Sequence, residues 1–225
     1  MKRVRVYVEG PSDKLAMNAL LQPLIEQKMQ EGVSIEFFEA SGGDRKKAVL
    51  LDVPRRAAAL VAYQPDVIVV ALPDLYPRNK GFTHDTFDEM RDGIYKAFNT
   101  VLRAKIGDDP RPRERFKVFC FKYDLEALLL AARDALEVRL EVDSLTPTWV
   151  IPVEDQNHEQ PPKRIVEQLF EEHGAHYVDT VDAPLILGLV NYQDIVEACP
   201  QCFKPFVEFL STLTEGETGK TDAQL

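Results

Sequence analysis

The chain has 225 residues, of which 45% are hydrophobic and 28% are charged, values that are ordinary for a soluble globular protein. Its formal net charge of −10 argues against a general nucleic-acid coat protein, because phosphate binding depends on clustered lysine and arginine. No apolar run approaches the roughly 18 to 20 residues that cross a bilayer. The apolar stretch before Glu9 is also too short for a signal peptide, so we expect a cytoplasmic protein.

Four short runs of apolar or β-branched residues, each bounded by turn residues, predict strands over 3–9, 33–40, 66–74 and 116–123. Helical patterns follow them over 11–29, 45–63, 84–106 and 124–136. Ser12 or Asp13 is expected to cap the first helix, and Pro23 to kink or split it. The continuous apolar run at 66–74 is typical of a central strand that is covered on both faces. This alternating order predicts an α/β domain with a mostly parallel sheet.

The pattern becomes looser in the last third of the chain. Residues 143–162 are rich in proline and polar groups and are expected to form a loop. Further helical segments are predicted over 162–174, 182–190, 191–200 and 202–213. We therefore divide the chain into an α/β core over 1–142, a mainly helical extension packed on that core over 143–213, and a disordered tail over 214–225.

Cysteine usage gives little support for a disulfide or zinc site. Cys120, Cys199 and Cys202 are an odd number, which does not indicate a secreted disulfide framework. Cys199 and Cys202 have metal-ligand spacing, but a structural zinc site uses four ligands and no second such pair exists. We expect instead that these two cysteines begin a packed C-terminal helix.

Acidic residues mark the ends of three of the four predicted strands. Glu9 is the last residue of the first and Asp74 the last residue of the third, while Asp124 and Glu126 follow the fourth. In an open α/β sheet, ligands bind in the crevice beyond the carboxyl ends of the strands. If these strands are neighbours, Glu9, Asp74 and Glu126 converge into an oxygen-ligand site suited to Mg²⁺ or Mn²⁺. Such a site suits phosphoryl chemistry.

Each acid also has a purely structural interpretation. Glu9 is consistent with a surface carboxylate at a strand end, and Asp74 with a helix cap in a proline-rich turn. Asp124 and Glu126 lie in the first turn of the predicted fourth helix, where the helix dipole stabilises a carboxylate by roughly 0.3–1 kcal/mol. Gly10, which permits close backbone approach, and the aliphatic run before Asp74 favour a functional role for Glu9 and Asp74.

Residues 8–13, with the sequence Val-Glu-Gly-Pro-Ser-Asp, precede an apolar helix and resemble the first motif of Toprim domains. Such domains occur in topoisomerases, primases, recombination proteins and nucleases of the overcoming-lysogenization-defect group. In that fold a glutamate after the first strand and an Asp-x-Asp pair after the third bind divalent metal. Glu9 matches the glutamate and Asp74 the first aspartate, whereas Tyr76 replaces the second.

The chain resembles more narrowly a group of small bacterial Toprim-like proteins that are often encoded beside an AAA- or ABC-type ATPase. The resemblance spans roughly residues 4–210 and rests on five motifs in order after the first one: Ser41-Gly42-Gly43, Asp74-x-Tyr76, Tyr123-Asp124-Leu125-Glu126, Pro162-Lys163-Arg164 and Cys199-Pro-x-x-Phe203. In the third of these, tyrosine replaces the histidine of the group. The resemblance implies a Toprim-like, mostly parallel sheet flanked by helices, with a helical C-terminal extension.

The resemblance also implies a function. It suggests a Mg²⁺- or Mn²⁺-dependent nuclease in which Glu9, Asp74 and Glu126 are catalytic and metal-binding and Asp124 is a further metal residue. Such a nuclease would act on nucleic acid with an AAA- or ABC-type ATPase partner, in defence against phage. One alternative is a non-catalytic docking or sensor subunit of an ATPase complex, and another is a metal-dependent nucleotide-processing enzyme without a polymer substrate.

Four further side chains are candidates for nucleic-acid or phosphate contact. Tyr76 and Tyr123 flank the predicted crevice, where they suit base stacking or a hydrogen bond to phosphate. Lys163 and Arg164 open a predicted helix, whose free N–H groups favour anions. Partly buried tyrosines and solvated charges are the simpler alternatives for these residues. The basic cluster Arg45–Lys47 likewise suits a focused binding groove or a solvated helix face.

Overall fold

Four parallel strands form the centre of the computed structural model, which describes residues 1–78, 82–107, 109–146, 149–156 and 159–215. The strands are β1 (Lys2–Val8), β2 (Val33–Glu39), β3 (Val67–Ala71) and β4 (Phe116–Val118). Their order in the sheet is β2-β1-β3-β4, and every pairing is parallel. The predicted α/β class, with a parallel sheet flanked by helices, is confirmed.

The helices connect these strands and then form the C-terminal part of the chain: α1 (Pro11–Leu20), α2 (Gln22–Gln30), α3 (Arg45–Lys47), α4 (Val53–Tyr63), α5 (Phe87–Ile106), α6 (Glu126–Ala131), α7 (Arg133–Leu140), α8 (Pro162–Glu172), α9 (Asp179–Leu187), α10 (Tyr192–Ala198) and α11 (Phe203–Thr212). A π-helical turn over Ala48–Asp52 joins α3 to α4. The predicted first helix is split, and Pro23 is the second residue of α2, where its missing N–H costs no helical hydrogen bond. The helical C-terminal extension is likewise confirmed.

Two hydrophobic cores cover the two faces of the sheet. Val4, Val6 and Val8 of β1 point into the larger core, which is built with α1, α2 and the helices after β4. The second core lies against α4 and α5, and it takes Val69 and Ala71 from β3. All five residues of β3 are buried, as expected for a central parallel strand between two helical layers.

The register places the carboxyl ends of the central strands side by side. Tyr7 of β1 pairs with Ala71 of β3, and Ala71 pairs with Val118 of β4. The predicted fourth strand is too long, because β4 ends at Val118 and pairing continues only as an isolated bridge between Asp74 and Phe121. Pro73 lies between the two pairings and has no N–H to donate, which accounts for the interrupted ladder.

The C-terminal helices share the larger core with the α/β part of the chain. Helix α9 packs along α1, and Ile186 and Met17 are fully buried in that core. The proposed boundary at residue 142 stays a prediction. Of the predicted tail, Thr214 and Glu215 contact the N-terminus of the chain, with 2.6 Å from the Lys2 Nζ donor to the Thr214 carbonyl. Residues 216–225 lie outside the described part of the chain.

None of the described helices has both the length and the apolar character required to cross a membrane.

Candidate functional site

Five carboxyl side chains lie beyond the carboxyl ends of β1, β3 and β4. Glu9 directly follows β1, and Asp13 is in the first turn of α1. Asp74 lies in the turn after β3, where its bridge to the chain after β4 holds it in place. Asp124 precedes α6, and Glu126 is the first residue of that helix. The structure therefore brings the acids predicted from sequence to one edge of the sheet and adds Asp13 to them.

Glu9 and Asp74 are connected directly. The Asp74 backbone N–H donates to Glu9 Oε1 at 3.0 Å, and Lys46 Nζ lies 3.9 Å from the same oxygen. Burial raises the pKa of Glu9 to about 7, although Lys46 and the Asp74 N–H oppose the rise. Burial, reinforced by the negative charges of Glu9, Asp13 and Asp124, also holds the pKa of Asp74 well above its usual range. Both carboxyls therefore hold their protons to a higher pH than an exposed carboxylic acid does.

Asp13 accepts a backbone hydrogen bond at the N-terminus of α1. Its Oδ2 accepts from the Gly10 N–H at 2.8 Å, and Gly10, not Ser12 or Asp13, occupies the cap position. The predicted cap is therefore wrong by two or three residues, because Pro11 already adopts helical geometry at the first position. Burial raises the pKa of Asp13 to about 6, with a contribution from the charge of Glu126.

Asp124 and Glu126 differ in how they are held. Glu126 is 4% exposed, accepts from the Tyr177 hydroxyl at 3.1 Å, and lies 3.6 Å from Lys163 Nζ. Asp124 Oδ2 accepts a long bond, 3.3 Å, from the Lys163 backbone N–H. Burial, with the nearby charge of Glu126, raises the pKa of Asp124 to about 8. The expectation that Asp124 lies within the first helical turn is wrong, since α6 begins two residues later.

Two carboxylate oxygens in this cluster, Asp74 Oδ1 and Asp124 Oδ1, are buried and have no hydrogen-bond partner in the described part of the chain. Lys46 Nζ shares this property. Buried polar atoms are nearly always paired, so each of these atoms indicates a partner of another kind. Orphaned carboxylate oxygens are the donors that Mg²⁺ and Mn²⁺ prefer, and in this respect the residues fit a divalent cation.

The acids nevertheless do not form a finished coordination shell. Within the described ranges, no group of three histidine, cysteine, aspartate or glutamate side chains is placed to hold a metal ion. A cation at this edge of the sheet would therefore need side-chain rotation. Asp74 Oδ1 and Asp124 Oδ1 have no hydrogen bond in the described part of the chain to lose by it, whereas Glu126 would give up its contacts with the Tyr177 hydroxyl and the Lys163 ammonium.

The four candidate contact residues line one cavity of about 380 Å³ next to the acids. Its walls are formed by Tyr76, Pro77, Tyr123, Asp124, Pro161, Lys163, Arg164 and Glu167. The rings of Tyr76 and Tyr123 lie 5.2 Å apart, centroid to centroid. Lys163 Nζ also lies 3.3 Å from Asp179 Oδ2, so its charge is already shared with two carboxylates.

Four residues of the site were not predicted from the sequence as site residues, although two of them belong to sequence features that were noted. Lys46 belongs to the basic cluster Arg45–Lys47, but nothing local shows that it alone is buried. Asp13 was recognised only as a helix cap. Tyr177 and Asp179 lie some 50 residues after Asp124 in the sequence, and only packing brings them to Glu126 and Lys163.

The cysteines adopt a different arrangement from a zinc pair. Cys199 directly follows α10 and is buried, and Cys202 precedes α11 with its Sγ 3.4 Å from Cys120 Sγ. Of the two, only Cys202 adjoins the start of the last helix, as expected. Glu154, which is buried, accepts from the backbone N–H groups that begin that helix.

The fold and the site define an α/β protein with a buried or half-buried acidic cluster at the carboxyl edge of a parallel sheet. Residues 8–211 match the family model described as a domain of unknown function, DUF4276, and the chain belongs to this family. A search of curated proteins gives no match. Among solved structures, the chain is similar to the C-terminal region of the Burkholderia pseudomallei OLD protein, with 16% identity and a TM-score of 0.45 over 93% of this chain and 97% of that chain. A likeness at this level does not transfer an activity.

Proposed function

We propose that the acidic cluster binds Mg²⁺ or Mn²⁺ and that the protein hydrolyses phosphodiester bonds of nucleic acid. The observation that supports this proposal most is the pair of buried, unpaired oxygens, Asp74 Oδ1 and Asp124 Oδ1, within a group of repelling carboxylates. A doubly charged cation would satisfy both oxygens and offset the repulsion. Bound cations of this kind are often the largest charges in a site and reverse the local pKa shifts.

The residues of the acidic cluster have different roles in this proposal. Glu9, Asp74 and Asp124 would hold the cation through carboxylate oxygens. Glu126 was expected to be a ligand as well, but its contacts with Tyr177 and Lys163 suit a residue that positions the Lys163 ammonium. When bound, a divalent metal supplies an activated water and stabilises charge on the leaving oxygen.

The presence of Tyr76 supports a site for one metal ion instead of two. It occupies the position of the second aspartate in the Asp-x-Asp pair, and its hydroxyl donates to the Asp85 carbonyl at 2.7 Å. It therefore adds no carboxylate to the cluster. A second ion would lack the hard oxygen ligand that Toprim domains place at this point.

We extend the proposal to an ATPase partner and to phage defence, which rest on the resemblance of sequence motifs alone. The net charge of −10 is consistent with weak intrinsic affinity for nucleic acid. A protein of this kind would depend on a partner for delivery to its substrate or for activation.

The alternative function is a non-catalytic docking or sensor subunit, and one surface feature favours it. Val181, Leu185 and Leu189 are spaced four residues apart along and just after α9, and their exposed fractions are 49%, 55% and 64%. A stripe of exposed aliphatics suits contact with another protein. In this alternative, Lys46, Lys163 and bound protons alone would neutralise the acids.

Metal titration by calorimetry, with a parallel nuclease assay, separates the two functions. The wild type would be compared with Asp74→Asn and Asp124→Asn, which keep the side-chain shape but remove the charge. Glu208→Gln, an exposed change on α11, is the matched control. The nuclease proposal expects Mg²⁺ or Mn²⁺ binding and cleavage in the wild type and control, and loss of both in the two asparagine variants. If the wild type binds no metal and the folded variants are indistinguishable from it, the nuclease proposal is wrong and the docking subunit remains.

A further inference from the structure

The cavity beside Asp124 has two walls of different chemistry. Tyr76 and Pro77, which follow β3, form an apolar wall together with Tyr123. The other wall is the first turn of α8, which contributes Lys163 and Arg164. A cavity that combines aromatic faces with fixed positive charge is suited to a ligand with both a flat ring and an anionic group.

The aromatic wall is held in place before any ligand arrives. The Tyr76 hydroxyl donates to the Asp85 carbonyl at 2.7 Å, which restrains the ring. Tyr123 is 7% exposed, and its ring packs against Tyr76 with an angle of 37° between the ring planes. Because the side chains are already ordered, a ring that stacks on Tyr76 loses little additional entropy from the protein.

The opposite wall favours an anion. Helix α8 has 11 residues and starts at Pro162, and the Lys163 N–H in its first turn donates a long hydrogen bond of 3.3 Å to Asp124 Oδ2. The positive end of the helix dipole at this point favours an anion such as phosphate. Arg164, which is exposed, and Lys163 both line the cavity, and the Lys163 ammonium lies 3.6 Å from Glu126 and 3.3 Å from Asp179. The positive wall and the apolar wall therefore face the same space, next to the acidic cluster.

We propose that this cavity binds one unpaired nucleotide, with its base on Tyr76 and a phosphate beside Lys163 and Arg164. Its volume of about 380 Å³ lies at the small end of the range of ligand pockets, which is about 300–1,000 Å³. It accommodates a single nucleoside and not a base pair. The substrate class is therefore single-stranded nucleic acid, an inference that rests on the proposed function for the cleavage itself but not for the binding.

The test is fluorescence anisotropy with a labelled single-stranded oligonucleotide and its blunt duplex, with Ca²⁺ in place of Mg²⁺ and gels to verify that the probes stay intact. The wild type is expected to bind the single strand more tightly than the duplex. Tyr76→Ala is expected to weaken single-strand binding by about 10- to 100-fold, the effect of losing one base–aromatic stack, and Tyr76→Phe to keep most of it. Arg164→Ala is expected to weaken binding and lower its salt dependence. Arg55→Ala, an exposed change on α4, is the control.

Equal binding of the two probes by the wild type, or unchanged single-strand affinity in a folded Tyr76→Ala variant, overturns the proposal. If Tyr76→Ala does not fold, the exposed Arg164→Ala decides, and an unchanged affinity and salt dependence overturn the proposal. The two hypotheses fail separately. If Tyr76→Ala cleaves nucleic acid in a metal-dependent way and binds the single strand with unchanged affinity, the nuclease proposal stands and the nucleotide-pocket proposal is wrong. If single-strand affinity depends on Tyr76 but the protein cleaves no nucleic acid, the nucleotide-pocket proposal stands and the nuclease proposal is wrong.

Discussion

Glu9→Gln removes one ionisable group from the acidic cluster while keeping an oxygen that accepts the Asp74 N–H. Burial raises the pKa of Glu9 from its usual 4.5 to about 7, even with Lys46 nearby. A rise of this size corresponds to about 3 kcal/mol of folding free energy once the group is ionised in both folded and unfolded protein. We therefore expect Glu9→Gln to stabilise the metal-free protein by about 3 kcal/mol at pH 8.5.

The sign of this effect follows from proton binding. Because the pKa of Glu9 is higher in the folded protein than in the unfolded chain, its contribution to stability is fully present below about pH 4.5 and is lost as the pH rises through about 7. Glu9→Gln should accordingly change stability by less than about 1 kcal/mol at pH 5. Adding Mg²⁺ at pH 8.5 should stabilise the wild type and not the variant, which reduces or reverses the difference.

Urea unfolding of both proteins at pH 5 and pH 8.5, with EDTA or with Mg²⁺, measures these differences. Glu208→Gln, an exposed change on α11, controls for the loss of a carboxylate as such and should be neutral at both pH values. A Glu9→Gln variant that is less stable than the wild type at pH 8.5 in EDTA would refute the reasoning. So would an equal gain in stability at both pH values.

The remaining predictions concern proton release and two buried contacts. Since burial raises the pKa of Glu9 to about 7 and that of Asp124 to about 8, metal binding at pH 7 should release roughly one to two protons, measurable by calorimetry in buffers of different ionisation enthalpy. Glu154→Ala should cost about 3–5 kcal/mol in urea unfolding, because Glu154 accepts from the N–H groups of Gln201, at 2.6 Å, and of the next two residues. Tyr177→Phe should cost about 1–3 kcal/mol by the same measurement, since it removes a donor from a buried carboxylate.

Each of these predictions has a clear contrary result. A binding enthalpy that does not vary with buffer would contradict proton release. For Glu154→Ala, the control is Glu208→Ala on α11. A similar small loss of stability in both variants would mean that the three hydrogen bonds from backbone N–H groups to Glu154 contribute little. For the tyrosine, Tyr63→Phe at an exposed position is the control, and an equal effect at Tyr63 and Tyr177 would argue against a specific hydroxyl bond to Glu126.

The local pattern of the chain was enough to predict its class and the position of its acids. The aliphatic run that becomes Val67–Ala71 reads as a central strand because only a strand covered on both faces needs apolar residues at every position. Glu9 and Asp74 were recognisable because each comes at the end of a predicted strand. In a parallel sheet, residues that follow neighbouring strands must lie at one edge, so their approach depends on strand order alone.

Only the tertiary structure decided what those acids contact. The order β2-β1-β3-β4 makes β1 and β3 neighbours, which allows the Asp74 N–H to reach Glu9, and Pro73 interrupts the ladder so that β4 ends early. The burial of Lys46 and the bond from Tyr177 to Glu126 depend on the packing of helices distant in sequence. Those contacts determine which carboxylates are satisfied and which stay unpaired. Periodicity within a short segment carries no information about them, because they arise between segments that meet only in the folded chain.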